Sequence, residues 1–194
     1  MDKKTDNHNA ADKLAIRRYF LNKYHKGAPP VVFDCCQGEK LLWSILEREY
    51  VLDSYFGVDL KIKKGRLKID SSRILEQKGF DFDVVDVDTY GEPWKHFLNM
   101  LPHITKPCTV FLTIATIKAA GGGNISKLMA KALGVHNFTN LSPSLRGKIS
   151  SLGTDQFLGM ALKYCEVQEC KEVESFGHAR YLGLRLVPKR PTGV

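Results

Sequence analysis

The chain has 194 residues, a net charge of +8 and a pI of about 9.2, a length that favours one domain and a charge that favours polyanionic partners, nucleic acid above all. Hydrophobic residues at 43% against 26% charged give an ordinary globular balance and set a disordered chain aside. No apolar run approaches the ~20 residues of a membrane span, the polar residues 1–9 do not read as a signal peptide, and five cysteines without framework spacing exclude a secreted disulfide scaffold, so a cytoplasmic protein with reduced, buried thiols is expected.

Residues 10–26 read as an amphipathic N-terminal helix, set apart (1–28) from a single domain over 29–190. Its apolar face is Leu14, Ile16, Tyr19, Phe20 and Tyr24, with Lys13, Arg17, Arg18 and Lys23 on the wet side. Asn9 is placed to cap it, and Gly27, Pro29 and Pro30 stop it. The pattern then predicts strands over 31–34, 55–59, 67–70, 82–88 and 108–115, with helices over 40–50, 71–78 and 93–101 between them. Strands alternating with helices, and near-continuously apolar, predict a mostly parallel α/β sheet covered on both faces, a three-layer Rossmann-like arrangement. Residues 121–151, rich in Gly, Ser, Asn and Pro, read as a long connection with one short helix over 125–133. The glycines Gly121, Gly122 and Gly123 would let that connection close over a site. A helix over 155–163 and two strands over 166–174 and 181–187 complete the chain as an antiparallel hairpin.

Ligands in open α/β sheets bind beyond the carboxyl ends of the strands. Those ends carry Asp34 with Cys35 and Gly38, then Asp59 with Leu60, then Asp70 with Ser71, then Asp86 and Asp88 with Tyr90. A glycine between strand and helix admits close backbone approach to a cofactor. Asp59 suits ribose hydroxyls. Asp86 and Asp88, two apart, share one strand face. A carboxylate accepts from an amine, and an aromatic ring stacks a base. The G-x-G-x-x-G fingerprint of dinucleotide sites is absent, and the scattered histidines offer no metal-ligand spacing.

These residues resemble the class I S-adenosylmethionine-dependent methyltransferases over roughly 31–187, closing hairpin included. The resemblance implies S-adenosylmethionine as cofactor. It assigns Asp34, Cys35 and Gly38 to the first-strand turn, Asp59 to the ribose, Asp70 and Ser71 to the adenine side, and Leu60 and Asp86 to the same pocket. Asp88-Thr89-Tyr90-Gly91 stands where amine methyltransferases have an Asp or Asn, two prolines and an aromatic residue. The stretch from Phe82 to Gly91 is similar to that of tRNA guanine dimethyltransferases, which ends Asp-Pro-aromatic-Gly. Lys40 replaces the family's second glycine, and Thr89 its proline.

The expected activity is methyl transfer to a nucleobase amine, in RNA more than DNA, with Asp88 accepting the amine hydrogens and Tyr90 stacking the base. Arg17 and Arg18, the run Lys61, Lys63, Lys64, Arg66 and Lys68, and Arg146 with Lys148 are the candidate nucleic-acid contacts. Three alternatives stand beside it. One is a methyltransferase of small molecules or proteins. Another is a non-catalytic binding subunit on the same fold, favoured by Lys40 and Thr89. The last is a nicotinamide oxidoreductase, disfavoured by the missing glycines and the hairpin.

Overall fold

In the computed structural model, described here for residues 9–61, 67–89, 92–115, 126–136, 142–175 and 179–189, the strands join in one seven-stranded sheet. The chain runs α1 (Ala10–Tyr24), β1 (Val31–Asp34), α2 (Leu41–Leu46), β2 (Ser54–Asp59), β3 (Leu67–Lys68), α3 (Ser71–Leu75), β4 (Val84–Val87) and α4 (Trp94–Met100) with a 3-10 turn (Leu101–His103). It continues with β5 (Cys108–Ala115), α5 (Lys127–Ala132), α6 (Pro143–Ala161), β6 (Cys165–Ser175) and β7 (Ala179–Pro188). The strand order is β3-β2-β1-β4-β5-β7-β6. The first five strands are parallel, and β7 inserts antiparallel between β5 and β6. The order reverses between β1 and β4, so the crevice where ligands gather lies at their carboxyl ends.

Strand alternation divides the interior into two layers. Phe33, Val85, Val87, Val110 and Leu112 face α3, α4, α5 and α6, packing with Leu75, Trp94, Phe97, Met129 and Phe157. Val32, Val84 and Phe111 face the other way, against Leu14, Ile16, Phe20 and Leu21 of α1 and Trp43 and Leu46 of α2. Asp86 and Asp88 fall on this second face, in step with Val84. The N-terminal helix therefore covers one side of the sheet. Gly183 of β7 makes room for it, since a Cβ there would stand 2.4 Å from Phe20 Cε2.

Two expectations change. Helix α6 begins twelve residues before the predicted 155, so much of the expected long connection is helical. Its start is a local signal that composition masked: Ser142 accepts from the Leu145 amide and Pro143 occupies the first turn. Gly153 inside it is a packing residue, because a Cβ there would lie 2.8 Å from Met129 of α5. Cys36 is only partly buried and Cys170 on the edge strand β6 is exposed, while Cys35, Cys108 and Cys165 are buried as expected. The expected lid glycines, Gly121 to Gly123, lie outside the described residues. No described helix is long and apolar enough to cross a membrane.

Candidate active site at the strand ends

The turn after β1 is built from backbone. The Cys35 amide donates to the Asp86 carbonyl at 2.9 Å, Gln37 N to Val58 O at 2.9 Å, and Lys40 N to Gln37 O at 2.7 Å, stitching the turn across β4 and β2. Gly38 has φ of 50° and Lys40 φ of 55°, and Lys40 is the one non-glycine with positive φ among the described residues. The backbone at 40 is thus one that favours glycine. The lysine there lays its ammonium 4.0 Å from the centre of the Tyr55 ring and pairs with Glu47 at 2.8 Å.

Asp34 lies beside Asp86 in register, on strands β1 and β4. Its Oδ1 accepts from Cys36 N at 3.1 Å and its Oδ2 from the Tyr55 hydroxyl at 2.7 Å. Burial, together with the Asp86 charge, pushes its carboxyl up to about 7, against the two hydrogen bonds. Tyr55 and Gln37 crowd the neighbouring Gly57, where a Cβ would meet both at 2.8 Å.

Asp59 receives the Gly38 amide at 3.2 Å and the Lys61 amide at 2.9 Å. Leu60 beside it is 63% exposed, an apolar plate next to a carboxylate. Asp70 is the cap of α3: its Oδ1 accepts from Ser72 N at 3.0 Å and Ser72 Oγ at 2.8 Å. Those bonds hold its carboxyl below the usual range, against its slight burial. Ser71 is buried and shares a hydrogen bond of 2.9 Å with His96 Nε2. Burial holds that imidazole below its usual value.

Asp86 does not present itself to the crevice. Arg17 Nε and one terminal guanidinium nitrogen donate to its two oxygens at 2.8 and 2.6 Å, and Trp43 Nε1 donates at 2.8 Å. Arg17 and Asp86 are 1% and 2% exposed. Asp86, expected at the cofactor pocket, is thus sealed beneath α1, and Arg17, expected on the wet face, is buried and unavailable to nucleic acid. Arg18 is exposed but holds Glu49 through two hydrogen bonds of 2.6 and 2.7 Å. Lys13, also expected to be wet, donates to Asp88 Oδ2 at 2.6 Å.

Burial raises the Asp88 carboxyl, but Lys13, Arg17 and the Thr113 hydroxyl outweigh it and hold it below its usual range. Thr89 Oγ1, Trp94 Nε1 and His96 Nδ1 are buried and make no hydrogen bond. Tyr90, Gly91, Lys63, Lys64, Arg66 and the side chain of Arg146 lie outside the described residues, whereas Lys68 and Lys148 are exposed.

Trp43, Tyr55 and His96 escaped the sequence reading, which set Lys13 and Arg17 on the wet face. A signal for the pairing of those two cations was present. Four residues of helix rise about 6 Å and two residues of strand about 6.6 Å, so cations at 13 and 17 match acids at 88 and 86 on an antiparallel strand.

No family model and no curated protein matches the chain. Its backbone is similar to Trm1 from Pyrococcus horikoshii, solved with S-adenosyl-L-methionine, at TM-score 0.66 and 14% identity over 95% of this chain. It is similar also to the ribosomal protein L11 methylase of Lactobacillus delbrueckii subsp. bulgaricus (TM-score 0.55, 12% identity, 96% of this chain and 81% of that one). The plantazolicin methyltransferase BpumL, solved with a pentazolic desmethylPZN analogue and SAH, is a third (TM-score 0.55, 10% identity, 95% of this chain and 88% of that one). The fold is that of the class I S-adenosylmethionine-dependent methyltransferases. The chain spans 56% of the length of that Trm1. On the class I methyltransferase fold, Asp34, Asp59, Asp70 and Asp88 stand at the carboxyl ends of neighbouring strands or in the turns after them.

Proposed function

We propose that the chain is an S-adenosylmethionine-dependent methyltransferase acting on an amine of a nucleobase, in RNA more than DNA. The observation that carries this reading is the row of carboxylates on the class I sheet, with Asp88 at the switch point and Asp59 beside an exposed apolar side chain. A carboxylate for hydroxyls, an apolar plate and buried unpaired polar atoms fit a nucleoside-bearing sulfonium ligand. Asp59 would take the ribose hydroxyls, Leu60 the adenine face, and Asp70 and Ser71 the adenine edge. The Gly38 turn would take the amino-acid part, with Asp34 behind it. When bound, the cofactor supplies a methyl group already activated as a sulfonium.

The protein's own task is placement. Asp88 orients the acceptor amine by accepting its hydrogens, and Tyr90 stacks the base. A base in a duplex must first leave its stack. The net charge of +8 supports a nucleic-acid partner, with Lys68 and Lys148 exposed to meet it.

Titration calorimetry with S-adenosylmethionine, its demethylated product and NAD tests the cofactor, and transfer of labelled methyl to bulk tRNA tests the substrate. Micromolar binding of the first two, none of NAD, and at least a tenfold loss in Asp59→Ala are expected. Failure of both sulfur ligands to bind would overturn the reading. One observation favours a second reading, a non-catalytic subunit on this fold. Lys40 fills a glycine-like backbone position and is tied to Glu47 and Tyr55. Cofactor binding with no transfer to RNA, DNA or protein would favour it.

A further inference from the structure

Helix α1 brings two cations to two acids. Arg17 and Asp86 form a buried bidentate pair, and one turn away Lys13 reaches Asp88, the proposed amine acceptor, at 2.6 Å. Each cation of this cluster thus has its own acid, Arg17 with Asp86 and Lys13 with Asp88, and Asp34 stands beside Asp86. The inner pair is sealed, at 1% and 2% exposure, whereas Lys13 and Asp88 keep 13% and 23% and border the crevice. Lys13 also stands 5.4 Å from the centre of the Tyr181 ring, so its stem is seated rather than free in solvent.

An acceptor carboxylate without a counter-cation would draw in an alkylammonium, the charged form of a lysine side chain or a polyamine. One that already holds a lysine gains little from a second positive charge and still has lone pairs for a neutral amine. We infer that Lys13 is a specificity-determining residue of the acceptor site: by satisfying the charge of Asp88 from within the chain, it selects an uncharged amine, such as an exocyclic nucleobase amine, over an alkylammonium. The inference rests on the proposed role of Asp88 and gives that site its substrate class. It also makes α1 part of the site rather than an appendage.

The test compares two small probes, n-butylammonium and cytidine, on the wild-type protein and on Lys13→Met, which keeps the stem and removes the charge. Binding is read by calorimetry and by protein NMR at low salt. Lys13→Met is expected to bind n-butylammonium roughly fivefold more tightly than wild type, the upper end for one partly exposed ion pair. Cytidine affinity should not rise. Lys13→Arg, which restores the charge, should behave as wild type, and the gain should vanish in Lys13→Met combined with Asp88→Asn. A simple loss of packing would not produce a gain tied to both charges. Lys13→Gln serves as a second uncharged variant should the methionine form be too unstable to titrate. Equal n-butylammonium binding by wild type and the uncharged variant, or a gain that survives Asp88→Asn, would overturn the inference. Binding of S-adenosylmethionine, followed in parallel, reports on the methyltransferase reading and is independent of both outcomes.

Discussion

Replacing Arg17 with methionine is expected to cost about 3–5 kcal/mol of stability. The side chain makes two hydrogen bonds to Asp86, at 2.8 and 2.6 Å, and one to the Lys13 carbonyl at 2.9 Å. Its guanidinium carbon lies 5.2 Å from the centre of the Phe111 ring. Burial opposes its charge, but Asp86, Asp88 and Asp34 together outweigh that and push the guanidinium up. Methionine restores much of the stem packing, so the loss falls on electrostatics. Asp86 would be left 2% exposed with Trp43 as its remaining side-chain donor and Asp34 beside it.

An uncompensated buried carboxylate is the costly outcome, more than the pair itself is a gain. The cost is a large fraction of the 5–15 kcal/mol that holds a domain together. Urea unfolding at pH 7 reads it directly. Adding Asp86→Asn to Arg17→Met removes the stranded charge and keeps an acceptor for Trp43, so the double variant should regain about 2 kcal/mol over the single. A loss under about 1 kcal/mol for Arg17→Met, or a double variant no more stable than the single, would refute the account of Asp86 as a buried anchor.

At position 40, Lys40→Gly should be more stable than Lys40→Ala by about 1 kcal/mol, because both lose the side-chain contacts and only glycine relieves the positive φ; equal urea midpoints would contradict this. Gly183→Ala should lower stability by about 1–3 kcal/mol, since its Cβ meets the buried Phe20 ring. Gly153→Ala should stay within about 1 kcal/mol of wild type, because Met129 can move and alanine favours the helix; thermal unfolding of the two compares them.

Two buried groups should tilt the pH profile of stability in opposite directions. Asp34 is raised from 3.8 to about 7 by burial and by Asp86. The folded protein therefore keeps a proton that the unfolded chain has released, and stability falls as pH rises from about 4 to 7. His25 is lowered from 6.5 to about 4 by burial and by Arg185. There the unfolded chain takes up a proton that the folded one refuses, and stability falls as pH drops from 6.5 to 4. Asp34→Asn should flatten the first trend and His25→Asn the second, in urea midpoints taken across pH 4–7; unchanged slopes in both would count against these burial effects.

Much of the architecture was legible because parallel strands buried on both faces leave continuous apolar runs. β1 and β5 coincide with their predicted ranges, and β2 and the closing hairpin fall within two residues of theirs. Helix α6 was misjudged because the Gly, Ser, Asn and Pro content was read as looseness, whereas Ser142 and Pro143 there form a helix start. The acids at the strand ends could be listed from sequence, since alternation and position place them. Their occupation could not. Which carboxylate stays open to a ligand depends on what covers its face, and that is a matter of helix docking.

The sequence by itself determined the strand order's raw material: where the strands and most of the helices lie, that the sheet is mostly parallel, and that acids collect at its carboxyl edge. These follow from local periodicity and from chain-order rules that neighbouring residues obey. Only the tertiary structure decided that Asp86 is sealed by Arg17 while Asp88 holds Lys13 and still borders the crevice. Those partners lie 69 and 75 positions apart in the chain; the matching spacing of cations and acids is written in the sequence, but which helix docks on which strand is decided by the packed interface.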